Sequence, residues 1–163
     1  MPYPISALFA ATAQDVPPGH FYLKEGQWYL AVTGQRQAEG SSAVCLTGDA
    51  TGWLQHLPDG SALYVGGAFS VEPHVADLSG SVAAEDAHWN GALLLGTRPN
   101  LYAQFGNGDR LFTLDGEASR GEGVSASRRR FLSWEAWLKD ERNQIVGNQP
   151  LFTVNAIGKI VRR

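Results

Sequence analysis

Apolar and polar positions alternate along most of this chain with a period of two, in short runs cut by Gly, Pro, Asn and Asp. The clearest run is HFYLKEGQWYLAV, residues 20–32. A two-residue turn at Glu25-Gly26 pairs Lys24 with Gln27, Leu23 with Trp28, Tyr22 with Tyr29 and Phe21 with Leu30. One face then carries Phe21, Leu23, Trp28, Leu30 and Val32. The other, which ought to be wet, carries Tyr22 and Tyr29 framed by His20, Lys24 and Gln27.

Similar runs follow at short spacing. AVCL leads to a turn through Gly48 and Asp49, and WLQHL ends at Pro58-Asp59-Gly60. ALYVG pairs with AFSVE across Gly66-Gly67, which makes Tyr64 and Phe69 a second cross-strand aromatic pair. Residues 73–91 read as a long loop with one helical turn. Asn107-Gly108 predicts a hairpin that sets Phe105 against Arg110, Ala103 against Phe112 and Leu101 against Leu114.

The stretch from Arg128 to Arg163 fits two periods. A helix would stripe Phe131, Trp134 and Leu138, whereas a strand alternates Leu132, Trp134, Ala136 and Leu138 against Ser133, Glu135, Trp137 and Lys139. The polar DERN with β-branched Ile145-Val146 beyond it resembles a turn and return, which favours strands.

Residues 1–19 differ. Pro2 and Pro4 keep the start extended, Ser6 can cap a turn or two of helix over Ala7–Ala13, and Pro17-Pro18-Gly19 closes the segment. The organisation is therefore an extended N-terminal arm (1–19) ahead of one domain (20–163). The expected fold is all-β: an antiparallel β-sandwich or jelly roll of about ten short strands.

Composition narrows the function. A chain of 163 residues holds one sizeable core. Charged residues are only 18%, below the usual quarter, and the net charge of −3 gives no field that favours nucleic acid or an anionic membrane. ISALFAATA lacks the basic flank of a signal peptide, so a cytoplasmic or virion location is expected. No apolar run nears the roughly 20 residues that span a bilayer.

Candidate chemistry is sparse. Cys45, the single cysteine, permits no intrachain disulfide and no cysteine metal cluster, and reads as a buried thiol. No G-x-S-x-G occurs. His74, Asp77, Glu85, Asp86 and His88 cluster in sequence without the spacing that makes zinc ligands converge, so solvated side chains are the simpler reading. Glu135 is the nearest candidate for one of a catalytic carboxylate pair, and an exposed strand position explains it as well. No catalytic residue, cofactor or metal is assigned. Arg128, Arg129 and Arg130 form the one basic run, which fits contact with a partner's carboxylates better than nucleic-acid binding beside the acidic Glu117 and Glu122.

The aromatics remain. Tyr22, Tyr29, Tyr64, Phe69 and Trp137 give several strands an apolar character on both faces. Such residues are buried against the chain itself or a partner, or they form a platform that stacks a sugar ring, with Trp53 as a further member. With few charges, a Pro-punctuated arm and two-faced strands, the chain resembles in general style small bacteriophage virion proteins such as capsid decoration (cement) subunits. That resemblance is one of style and rests on no motif. It implies a non-enzymatic structural protein, homo-oligomeric and bound to a protein lattice. A carbohydrate- or small-ligand-binding sandwich is the alternative, and a hydrolase on a jelly roll is a third reading.

Overall fold

The computed structural model describes residues 3–33, 42–56, 60–76, 81–83, 87–94, 98–106, 108–119 and 129–160. Within them the fold is all-β, an antiparallel sandwich of short strands. Among the described residues no helix is long and apolar enough to cross a membrane.

Sheet A has six strands in the order β1 (Leu8–Thr12), β6 (Ser61–Val65), β2 (Phe21–Lys24), β3 (Gln27–Val32), β4 (Ser42–Cys45), β5 (Leu54–His56). Sheet B runs β13 (Ala118–Ser119), β12 (Gly108–Thr113), β11 (Asn100–Phe105), β10 (Leu93–Leu94), β14 (Arg129–Phe131), β8 (Ser81–Ala83). Sheet C holds β16 (Phe152–Asn155), β15 (Ser133–Lys139) and β7 (Ser70–His74), and β17 (Ile157–Ile160) pairs with β9 (Ala87–Asn90). Only Leu132 separates β14 from β15, so sheets B and C are joined along the chain.

The period-two pattern explains the core. Phe21, Leu30, Val32 and Val44 point inward from sheet A and meet Leu93, Leu101, Ala103, Phe112 and Phe131 from sheet B. Trp134, Ala136, Phe152 and Val154 complete the cluster from sheet C. The β2–β3 hairpin has the expected register, Tyr22 opposite Tyr29. Its turn residues Glu25 and Gly26 both have positive φ (50° and 78°), which suits the right-handed twist of the flanking strands. In β15 the strand period holds: Trp134, Ala136 and Leu138 are buried, and the side chain of Asp140 caps the following turn through the N–H groups of Arg142 and Gln144. Val146 N–H then donates to the Leu138 carbonyl, the expected return.

Four local expectations are corrected. Residues 62–72 form no hairpin: β6 pairs with β1 and β2, while β7 pairs with β15 in sheet C, so Gly66-Gly67 passes the chain between sheets. Phe69 accordingly packs with Ala7, Val65 and Leu138 and not beside Tyr64. The β11–β12 register sets Phe105 opposite Gly108 and Ala103 opposite Arg110, because the turn begins one residue early, at Gly106 with φ of 57°. The slip moves each pairing by two residues, so every side chain keeps its face. Residues 73–91 contribute the strands β8 and β9 and the end of β7 where a loop was expected. Last, Leu8–Thr12, the body of the expected Ala7–Ala13 helix, is a strand. One 3-10 turn (Ile5–Ala7) leads into β1, because pairing with β6 satisfies the backbone that so short a helix could not. The turn at Pro58-Asp59 and the carboxylates Asp77, Glu85 and Asp86 lie outside the described residues.

Candidate interaction surface

The outer face of sheet A carries one row of side chains in register across five strands: Phe9, Tyr64, Tyr22, Tyr29 and Cys45. Phe9 stacks on Tyr64 with ring centroids 5.4 Å apart, and His20 meets Tyr64 edge-on at 5.7 Å. Beyond β6 the row continues with Tyr22 stacked on Tyr29. Three of the sequence candidates, Tyr22, Tyr29 and Tyr64, are thus brought side by side.

The centre of the row is dry. After β1 the arm makes a second 3-10 turn (Ala13–Asp15) and crosses the sheet, so that Ala13 and Val16 pack on Tyr22, Ala31, Ala43 and Ala62. Backbone bonds pin the crossing at both ends, from Ala13 N–H to the Gly60 carbonyl (2.8 Å) and from Gly19 N–H to the Ala31 carbonyl (2.8 Å). Tyr22 is 0% exposed, and its hydroxyl has no hydrogen-bond partner among the described residues. Burial, reinforced by the neighbouring Tyr29 and Cys45, holds its proton far above the ordinary tyrosine range. Burial also raises Tyr29 and the Cys45 thiol, which donates to the Thr47 carbonyl.

The Phe9 end of the row is open, and the Cys45 end is buried. Phe9 is 40% exposed on the outer face of β1, Leu63 (40%) is exposed on the opposite face of the neighbouring β6, and Ile5 (88%) lies in the 3-10 turn that precedes β1. Beside them a cavity of about 200 Å³ is lined by Tyr3, Leu8, Leu23, Trp28, Leu63 and Leu138 among others. The Tyr3 hydroxyl, 2.7 Å from the Pro150 carbonyl oxygen, ties the arm's start to the far end of the chain.

Trp137 stands elsewhere, on the outer face of sheet C. Its indole N–H donates to Glu135 (2.8 Å), its ring centroid lies 5.9 Å from that of His74, and Glu72 faces it across the strand pair. Glu72 contacts both His74 (3.2 Å) and Lys139 (4.0 Å). Among the described residues no group of three or more metal-ligating side chains converges. His88 lies in β9 opposite Lys159.

The basic run divides. Arg130 is 7% exposed with its guanidinium 5.1 Å over the Tyr102 ring, a contact within this chain. Arg129 lies in β14 opposite Ala83, and Arg128 is outside the described residues. Sequence reasoning missed the β1 edge, because a helical reading of Ala7–Ala13 placed Phe9 on a helix face and not on a strand. The usable signal was LFAAT, five residues without a charge or a proline.

Comparison with protein-family models, curated proteins and solved structures found no match in any of the three.

Proposed function

We propose that this chain is a non-enzymatic assembly protein, best fitted to a bacteriophage virion role such as a capsid decoration subunit that binds a protein lattice. The observation that supports this reading is the apolar end of sheet A. Edge strand β1 has no charge or proline to discourage pairing, and Ile5, Phe9 and Leu63 are exposed around it. Soluble chains seldom leave an uncharged edge strand flanked by exposed apolar side chains without a partner. The test is solution mass by light scattering after size exclusion, followed by co-sedimentation with assembled phage heads. Self-association or capture by the heads is expected. A chain that stays monomeric and never sediments with heads overturns the proposal.

A second reading has its own support: an aromatic ring beside carboxylates and a histidine, as at Trp137, is the chemistry that stacks a sugar ring and bonds its hydroxyls. Quenching of tryptophan fluorescence by one glycan class, lost in Trp137→Ala, would favour a carbohydrate-binding module.

A further inference from the structure

We propose that β1 pairs antiparallel with β1 of a second copy about a two-fold axis at Ala10, fusing two six-stranded sheets into one. The inference rests on the assembly reading and names its self-contact.

Backbone polarity gives the first support. Gly66 N–H donates to the Ala7 carbonyl and Ala13 N–H to the Gly60 carbonyl, and these bonds bracket the β1–β6 ladder. Bonded pairs alternate along an antiparallel ladder, so Phe9 and Ala11 turn their backbone groups toward β6, and Leu8, Ala10 and Thr12 turn theirs away. The Leu8 N–H is used by the Ile5 carbonyl in the preceding 3-10 turn. What remains outward is the N–H and C=O of Ala10, the N–H of Thr12 and the C=O of Leu8, the Thr12 carbonyl being the cap acceptor of the Ala13–Asp15 turn. β1 is the last strand of its sheet, and among the described residues no strand lies on that side. The occupant that satisfies this edge is an extended backbone.

The side chains favour a second copy. A two-fold at Ala10 sets Ala10 against itself, Phe9 against the second copy's Ala11, and Leu8 against its Thr12. No two bulky side chains meet directly across the axis. The strand carries no charge, so the symmetric pairing brings no like charges together. On the outer face the exposed Phe9 covers a small alanine. On the inner face Ala10, already paired with the exposed Leu63, extends an apolar surface toward its symmetry mate. The interface is isologous and closed, which ends growth at a dimer.

Three variants at Ala10 test this, because Ala10 is exposed and its N–H serves no bond among the described residues. Ala10→Pro removes the central donor, and Ala10→Glu sets two carboxylates face to face. Each should weaken dimerisation by about tenfold or more while the monomer's circular dichroism and melting stay unchanged. Ala10→Cys should cross-link under mild oxidation, since bonded antiparallel pairs hold Cα atoms about 5.5 Å apart, within disulfide range. Wild type is the control, its sole thiol being buried. A dimer of undiminished affinity in Ala10→Pro and Ala10→Glu overturns the edge contact and leaves the assembly reading standing. So does a monomeric wild type that binds phage heads. A wild type that is monomeric and ignores heads overturns both.

Discussion

Tyr22 and Tyr29 stack 5.3 Å apart with their planes 19° from parallel, yet Tyr22 is sealed from water and Tyr29 is half-buried. They sit on adjacent strands in one register, so the sheet does not distinguish them. The arm does, by laying Ala13 and Val16 over Tyr22. Tyr22 therefore belongs to a small second core, and a ligand or partner on this face meets Tyr29, Tyr64 and Phe9 instead.

The buried Tyr22 hydroxyl forms no bond with any described residue, so its desolvation is uncompensated. Tyr22→Phe should leave stability unchanged or raise it by about 1 kcal/mol in urea denaturation. Tyr22→Ala should cost about 3–5 kcal/mol through the cavity it leaves. A marked loss in Tyr22→Phe would show that the hydroxyl has a partner.

Alkali should expose the same residue. The folded state raises the Tyr22 pKa by burial, so above pH of about 10 the unfolded chain sheds a proton that the folded chain retains. Its contribution is complete below that pH and declines as pH rises toward the folded value, by about 1.4 kcal/mol per pH unit. Tyr22→Phe should therefore lose less stability than wild type between neutral and strongly alkaline pH in denaturant titrations. Parallel curves would refute this.

Gly52 joins the sheets. Gln104 N–H donates to its carbonyl (2.8 Å), and a Cβ at Gly52 (φ 82°) would lie 2.3 Å from the Asn90 carbonyl carbon and the Gly91 nitrogen. Both obstacles are backbone, so Gly52→Ala should cost more than about 3 kcal/mol in a thermal or chemical melt. Gly26 is the control. It has similar φ (78°) with nothing within 4 Å of its Cβ position, and Gly26→Ala should cost only about 1–2 kcal/mol.

Trp134 is anchored as well as buried. Its indole N–H donates to the Gly91 carbonyl at 2.9 Å, next to the Asn90–Gln104 side-chain bond (2.7 Å). Trp134→Phe leaves that carbonyl without its donor and a gap in the core, for an expected loss of about 2–4 kcal/mol. A loss under 1 kcal/mol in denaturant unfolding would mean that the site repacks freely.

What the sequence made legible was local. The hairpin at 20–32 was readable because Glu25-Gly26 tolerates the backbone its turn demands. The strand at 133–139 was readable because its alternation runs unbroken. Partner choice was not. Gly66-Gly67 looks like a hairpin turn whether or not the flanking strands pair, and what decides is a non-local competitor, β1 for β6 and β15 for β7. The hairpin at Phe105 shows the limit of turn chemistry, since Gly106 supplies the positive φ one residue before the expected pair. For the surface, the Tyr22–Tyr29 pair followed from alternation and its turn. The place of Tyr64 beside Tyr22 did not, and neither did their cover, because Ala13 and Val16 carry no sign of where they dock.

The arm also imposes an order of events on synthesis. Its strand has nothing to lie against until residues 61–65 leave the ribosome, and the carbonyl that receives the Tyr3 hydroxyl is 147 residues downstream. Residues 3–12 therefore settle only after much later residues have been made, and every contact that holds them down is a non-local one.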